Sequence, residues 1–223
     1  PLASLAEPLD VDVVIERAKN AVEVFFSVPG SAVMPFYGRA HVGLTDAKGI
    51  VPFDALRNGT ADQGDWLIQD SALILDGDYA ALETMSMMLH PEDFSVPFTD
   101  PLEASMATWV CNAPDPGAKP LSAFQTYAGF IAYPVDGYGS FEMVFAHAED
   151  IRLNWREFKD GAFVGSSSLV LKPSQTLSVP AAMTRFEKIA MWGGGLLAIF
   201  GAAGLALAIK GLARNRTLRA REA

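Results

Sequence analysis

The sequence predicts a mainly β protein: a β-sandwich-like extracytoplasmic domain with minor helices, followed by a single C-terminal transmembrane helix. Three observations carry this expectation. From about Val33 onward, short apolar runs alternate with Gly, Pro, Asp and Asn, and the cleanest of them alternate with a period of two. Residues 189–209, IAMWGGGLLAIFGAAGLALAI, are twenty-one positions without a charge. A helix rising about 1.5 Å per residue needs roughly 20 apolar residues to cross a hydrocarbon core of about 30 Å. Finally, charge is divided by that run. Up to Lys188 there are 12 Lys+Arg against 25 Asp+Glu, a net of −13; after Ile209 there are five basic residues against Glu222, a net of +4.

Positive loops resist translocation, so the basic tail, residues 210–223, is expected on the cytoplasmic side. Residues 1–188 then lie in the periplasm, a lumen or outside the cell. Within them, residues 1–171 form the domain and 172–188 a stalk. The chain begins at Pro1 rather than Met; with an outer domain, the expectation is a signal or transit peptide already removed. An acidic domain argues against a nucleic-acid partner.

Along the chain, residues 1–9 read as an extended lead-in. Asp10 is placed to cap a helix over residues 11–26, because Val14, Ala18, Ala21, Val22 and Phe25 recur at three- and four-residue spacing. The many β-branched residues there leave a strand as the alternative, and Pro29-Gly30 ends either element. Residues 66–75 and 125–133 are strand candidates. Residues 78–89, DYAALETMSMML, are the best internal helix candidate. Five prolines between residues 90 and 120 indicate a long ordered excursion with one short element near 102–111. From Ser140 to Ala146, Phe141, Met143 and Phe145 share a face. Ile151, Leu153 and Trp155 do the same, opposite Arg152, Asn154 and Arg156. Lys159-Asp160-Gly161 then turns the chain into 162–171, so residues 151–171 read as a β-hairpin.

The chemistry on offer is sparse. Cys111 is the one cysteine, which rules out an internal disulfide and paired-cysteine metal sites. His41, His90 and His147 are far apart in sequence. Met85, Met87, Met88 and His90 form a thioether-rich cluster whose soft ligands suit Cu(I); on a helix, Met85 and Met88 would share a side. Core packing is the commoner use of such methionines. Asp76-Gly77-Asp78 resembles part of a calcium loop, but the glutamate that closes an EF-hand is replaced by Met87. Glu92, Asp93, Asp100, Glu103, Glu149 and Asp150 supply carboxylates without a spacing that selects a catalytic pair. Ser166-Ser167-Ser168 lacks a nucleophile elbow, and no phosphate-binding glycine loop is present. Asn58-Gly59-Thr60 is a glycosylation sequon, of use only in a eukaryotic secretory pathway. No cofactor is called for.

In the apolar run, Gly194, Ala198, Ala202 and Ala206 recur every four residues as a smooth ridge, the pattern by which helices approach closely in lipid. Phe94, Phe98, Trp109 and Phe124 fall in surface-running segments and are expected to dock on a neighbour. The leading expectation is a non-catalytic, single-pass accessory subunit of a larger membrane complex, with respiratory and photosynthetic complexes as reasonable hosts. Its partners would be the lipid bilayer and other membrane subunits, met through the helix and the outer domain. The alternatives are a tethered binding domain for a small ligand or copper, and an anchored hydrolase that uses carboxylates.

Overall fold

The computed structural model describes residues 7–33, 44–54, 72–75, 77–94, 96–110, 112–134, 136–144, 149–173 and 175–183. The apolar run at 189–209, with Gly194, Ala198, Ala202 and Ala206, lies outside them. So do Cys111, His41, His147, Asp76 and the sequon at 58–60. Among the described residues no helix is long and apolar enough to cross a membrane.

The protein is mainly β. Strands β1 (Leu9–Ala18) and β2 (Ala21–Pro29) are followed by the short β3 (Ala72–Leu75) and β4 (Asp78–Ala80), then by β5 (Leu82–Pro91). After helix α1 (Pro101–Trp109) come β6 (Phe124–Ala132), β7 (Phe141–Val144), β8 (Ile151–Lys159), β9 (Ala162–Leu171) and β10 (Thr176–Val179). Among the described residues six strands form one sheet in the order β5-β6-β2-β1-β8-β9, and four form a second in the order β10-β7-β3-β4. All neighbours are antiparallel except β1 and β8.

One apolar cluster draws on both sheets: Val13, Ile15, Val24 and Phe26 from the larger, Leu73, Met143, Leu177 and Val179 from the smaller. A second cluster lies on the larger sheet's other face, where Val14, Phe25, Tyr127 and Phe158 meet Ala104 and Ala107 of α1. Strands β1 and β2 are therefore covered on both faces.

That double cover explains the first correction. Residues 11–26 are not a helix but a hairpin, β1 and β2, joined by Lys19-Asn20. Apolar side chains are needed on both faces, so the period-two signal is blurred and its remnant falls at three- and four-residue spacing. The β-branched content of the segment favours the strand. Pro29-Gly30 does end the element. Gly30 is required there, since a Cβ would sit 1.8 Å from the Leu121 carbonyl oxygen. Residues 78–89 are likewise not a helix but form β4 and most of β5, and for β5 the reason is the same: Met87 and Leu89 enter the inter-sheet cluster, while Ser86, Met88 and His90 are buried on the opposite face.

Part of the stretch expected as a stalk belongs to the folded domain. Residues 176–179 are strand β10, paired to β7, and Leu177, Val179 and Ala182 are buried. The hairpin at 151–171 forms as expected. Asp160 and Gly161 both take positive φ, 49° and 76°, in a two-residue turn of the hand that suits twisted strands. β6 matches the strand expected at 125–133, and β3 and β7 account for the described parts of those at 66–75 and 140–146.

Arg17 joins the sheets. It is fully buried on β1, with Nε 2.7 Å from Glu157 Oε1 on β8. Its terminal nitrogens donate to the carbonyls of Gly139, before β7, and Pro180, after β10, the latter at 2.7 Å. The guanidinium lies 4.4 Å from the Phe141 ring centroid. Burial pushes its pKa down, and Glu157 opposes that shift.

Candidate functional site

Helix α1 lies across β5, β6, β2 and β1. Its start is fixed by local chemistry. Asp100 Oδ1 accepts the Glu103 N–H at 2.9 Å, Pro101 occupies the first turn, and Glu103 Oε2 accepts from Thr99 N at 2.9 Å and Thr99 Oγ1 at 2.6 Å. This is a capping box shifted by one residue. Its end is fixed by the sheet. The last carbonyls of a helix lack internal partners. Here His90 Nε2 donates to Ala107 O at 2.9 Å, and Ser86 Oγ donates to Thr108 O.

Because Nε2 carries the proton in that bond, His90 Nδ1 is a bare acceptor, and it has no hydrogen-bond partner among the described residues. The ring is 1% exposed, stacked 6.0 Å from Phe94 and edge-on to Tyr127 at 5.0 Å. Burial lowers its pKa, which the bond to Ala107 partly offsets, so the imidazole is held neutral.

With its ends tied down, α1 presents a fixed outer face. Ala104, Ala107 and Thr108 are buried beneath it. Leu102, Met106, Trp109 and the following Val110 are 71%, 54%, 58% and 44% exposed. Their spacing of four, three and one places them on one helical stripe. Beside the stripe, Met106 and Val110 join His90, Phe94, Val96 and Pro97 in walling a cavity of about 220 Å³. The exposed stripe and the groove beside it form one largely apolar patch.

The structure redistributes the residues singled out in the sequence. Met85 sits at the irregularity between Thr84 and Ser86 in β5, and its side chain is outside the described set. Met88 and His90, two apart on a strand, share the α1-facing side, whereas Met87 points into the inter-sheet core. The helical geometry that would have put Met85 beside Met88 is therefore absent. Among the described residues no group of three or more His, Cys, Asp or Glu is placed to hold a metal ion. Asp100 and Glu103 cap α1, and Asp150 contributes its carbonyl to Leu9 N at 3.0 Å. Of the four aromatics expected on the surface, Phe124 and Phe98 are buried and Phe94 is packed against the core; Trp109 alone is exposed. Leu102, Met106 and Val110 went unread in the sequence. The signal was present: Asp-Pro-x-Glu at 100–103 opens a helix, and stepping from it by helical turns gathers them on one side.

No family model matches this chain, and no curated protein matches its sequence.

Proposed function

We propose that this chain is a non-catalytic accessory subunit of a larger membrane complex, held by the apolar run at 189–209 and docked through the outer face of α1. The folded part is read as a β-sandwich-like domain on the non-cytoplasmic side, and the basic tail as its cytoplasmic end. The observation that carries this reading is the stripe Leu102, Met106, Trp109 and Val110, exposed on a helix whose two ends are both fastened. Fully covering a large apolar side chain gains about 1.5–3 kcal/mol, so a preformed stripe of this kind suits a permanent neighbour.

The experiment is extraction in a mild detergent followed by native sizing. The wild-type chain should run in a large stoichiometric assembly. Met106→Glu with Trp109→Glu should release it, with the far-ultraviolet dichroism unchanged. A wild-type chain that runs alone refutes the proposal. A second reading, a tethered domain for a small ligand, draws support from the apolar groove of about 220 Å³ beside the stripe. Metal analysis of the purified chain tests its copper version.

A further inference from the structure

The larger sheet ends in two edges of different character. β5, at one edge, is stapled to α1 through Ser86 and His90. β9, at the other, pairs among the described residues with β8 alone and is exposed except at the half-buried Val164 and Gly165 and the buried Leu171. The edges of the smaller sheet, β10 and β4, are only four and three residues long. Long edges are normally guarded by charges, prolines or bulges, because their free N–H and C=O groups accept any passing strand. β9, AFVGSSSLVL, carries neither charge nor proline. Its one guard is an irregularity near its start, where Phe158 faces Phe163 and Glu157 faces Gly165, leaving Val164 over. Residues 165–171 then run in unbroken register.

We infer that β9 is where two copies of this chain join, antiparallel and edge to edge, about a two-fold axis through Ser168. This does not rest on the accessory-subunit reading. Two features of the regular stretch argue for a second copy rather than an unrelated strand. Its first part, Gly165-Ser166-Ser167, is small, and its last part, Leu169-Val170-Leu171, is bulky. Reversing one copy against the other sets Gly165 opposite Leu171, Ser166 opposite Val170 and Ser167 opposite Leu169, so each bulky residue meets a small one. A two-fold axis normal to the sheet preserves faces, so an odd-length stretch centres on a residue, and here that residue is Ser168. A charged strand laid on itself brings like charges close to the axis; this one brings none. The contact is about 24 Å long, short of a standard interface, so the dimer is concentration-dependent.

The test uses the full-length chain with Cys111→Ser, purified in a mild detergent and gently oxidised. Ser168→Cys should give a disulfide-linked dimer, because directly opposed Cα atoms lie about 4.5–5.5 Å apart, within disulfide range. Ser166→Cys alone should cross-link about tenfold more slowly or not at all, its equivalents lying about 14 Å apart along the ladder. Mixing Ser166→Cys with Val170→Cys chains should restore the cross-link. Ser168→Lys, which sets two ammonium groups face to face on an exposed position, should leave a folded monomer. Equal cross-linking of Ser168→Cys and Ser166→Cys, or a dimer that survives Ser168→Lys, overturns the inference. So does a chain that stays monomeric at every concentration, which would leave the edge to some other strand.

Discussion

Replacing Arg17 by Met removes the charge while roughly keeping the volume, and it isolates a fully buried polar group that ties the two sheets together. The structure sets the cost. Glu157, 9% exposed, loses its buried counter-charge. The carbonyls of Gly139 and Pro180 lose charged donors, each such bond being worth about 1.5–3 kcal/mol. Methionine returns some packing, and the net expectation is that of breaking a buried ion pair by removing one partner, about 3–5 kcal/mol. For a domain of this size that lowers Tm by on the order of 10 °C, read by far-ultraviolet dichroism on the full chain in mild detergent. Arg17→Lys keeps the charge but loses the planar fork and should fall between. Arg17→Met with Glu157→Leu removes both charges and should recover at least half of the loss. A Tm drop under about 2 °C for Arg17→Met would show that the contacts are ornamental and would refute the reasoning.

Three other outcomes are expected. His90 has its pKa lowered by burial, so its contribution to stability is intact above the ordinary value of 6.5 and is lost as pH falls below it; His90→Phe should flatten that acid limb of Tm against pH, even if its plateau is lower. Glu16 and Glu23 face each other across β1 and β2, and both have pKa values raised chiefly by burial. Their protonated forms favour the fold, an advantage lost as pH rises above 4.5, so Glu23→Gln should stabilise the protein at pH 7 by about 0.5 kcal/mol, measured by thermal unfolding. In the apolar run, Ala198→Leu or Ala202→Leu should loosen the chain from its assembly in native sizing while leaving the domain's Tm unchanged.

The legibility of this fold follows from how many sides of each strand are covered. The hairpin at 151–171 could be read because β9 is an edge and one face of β8 is partly wet, leaving Arg152, Asn154 and Arg156 in clean alternation with Ile151, Leu153 and Trp155. Residues 9–29 and 82–91 resisted because those strands are packed on both faces. Val14 and Phe25 answer to α1 while Val13 and Phe26 answer to the smaller sheet, and two superposed period-two patterns imitate a helix. Of the candidate site, the sequence marked His90 and Trp109, but it gave His90 a metal's company instead of the end of a helix. Whether an aromatic is a lid or a foundation depends on pairings far away in the chain. Phe124, at the start of β6, opposes Pro91 of β5 and stacks on Phe53 at 5.6 Å, contacts that no local pattern encodes.

The clamp at the end of the described chain sets the length of a leash. Pro180 is held by Arg17, and Ala182 N–H donates to Tyr138 O at 2.9 Å. From residue 182 to the first position of the apolar run at 189 there are seven steps, which span at most about 25 Å when fully extended. A seventeen-residue stalk starting at Lys172 would have reached more than twice as far. However that short stretch is arranged, residue 189 can lie no farther than this from residue 182.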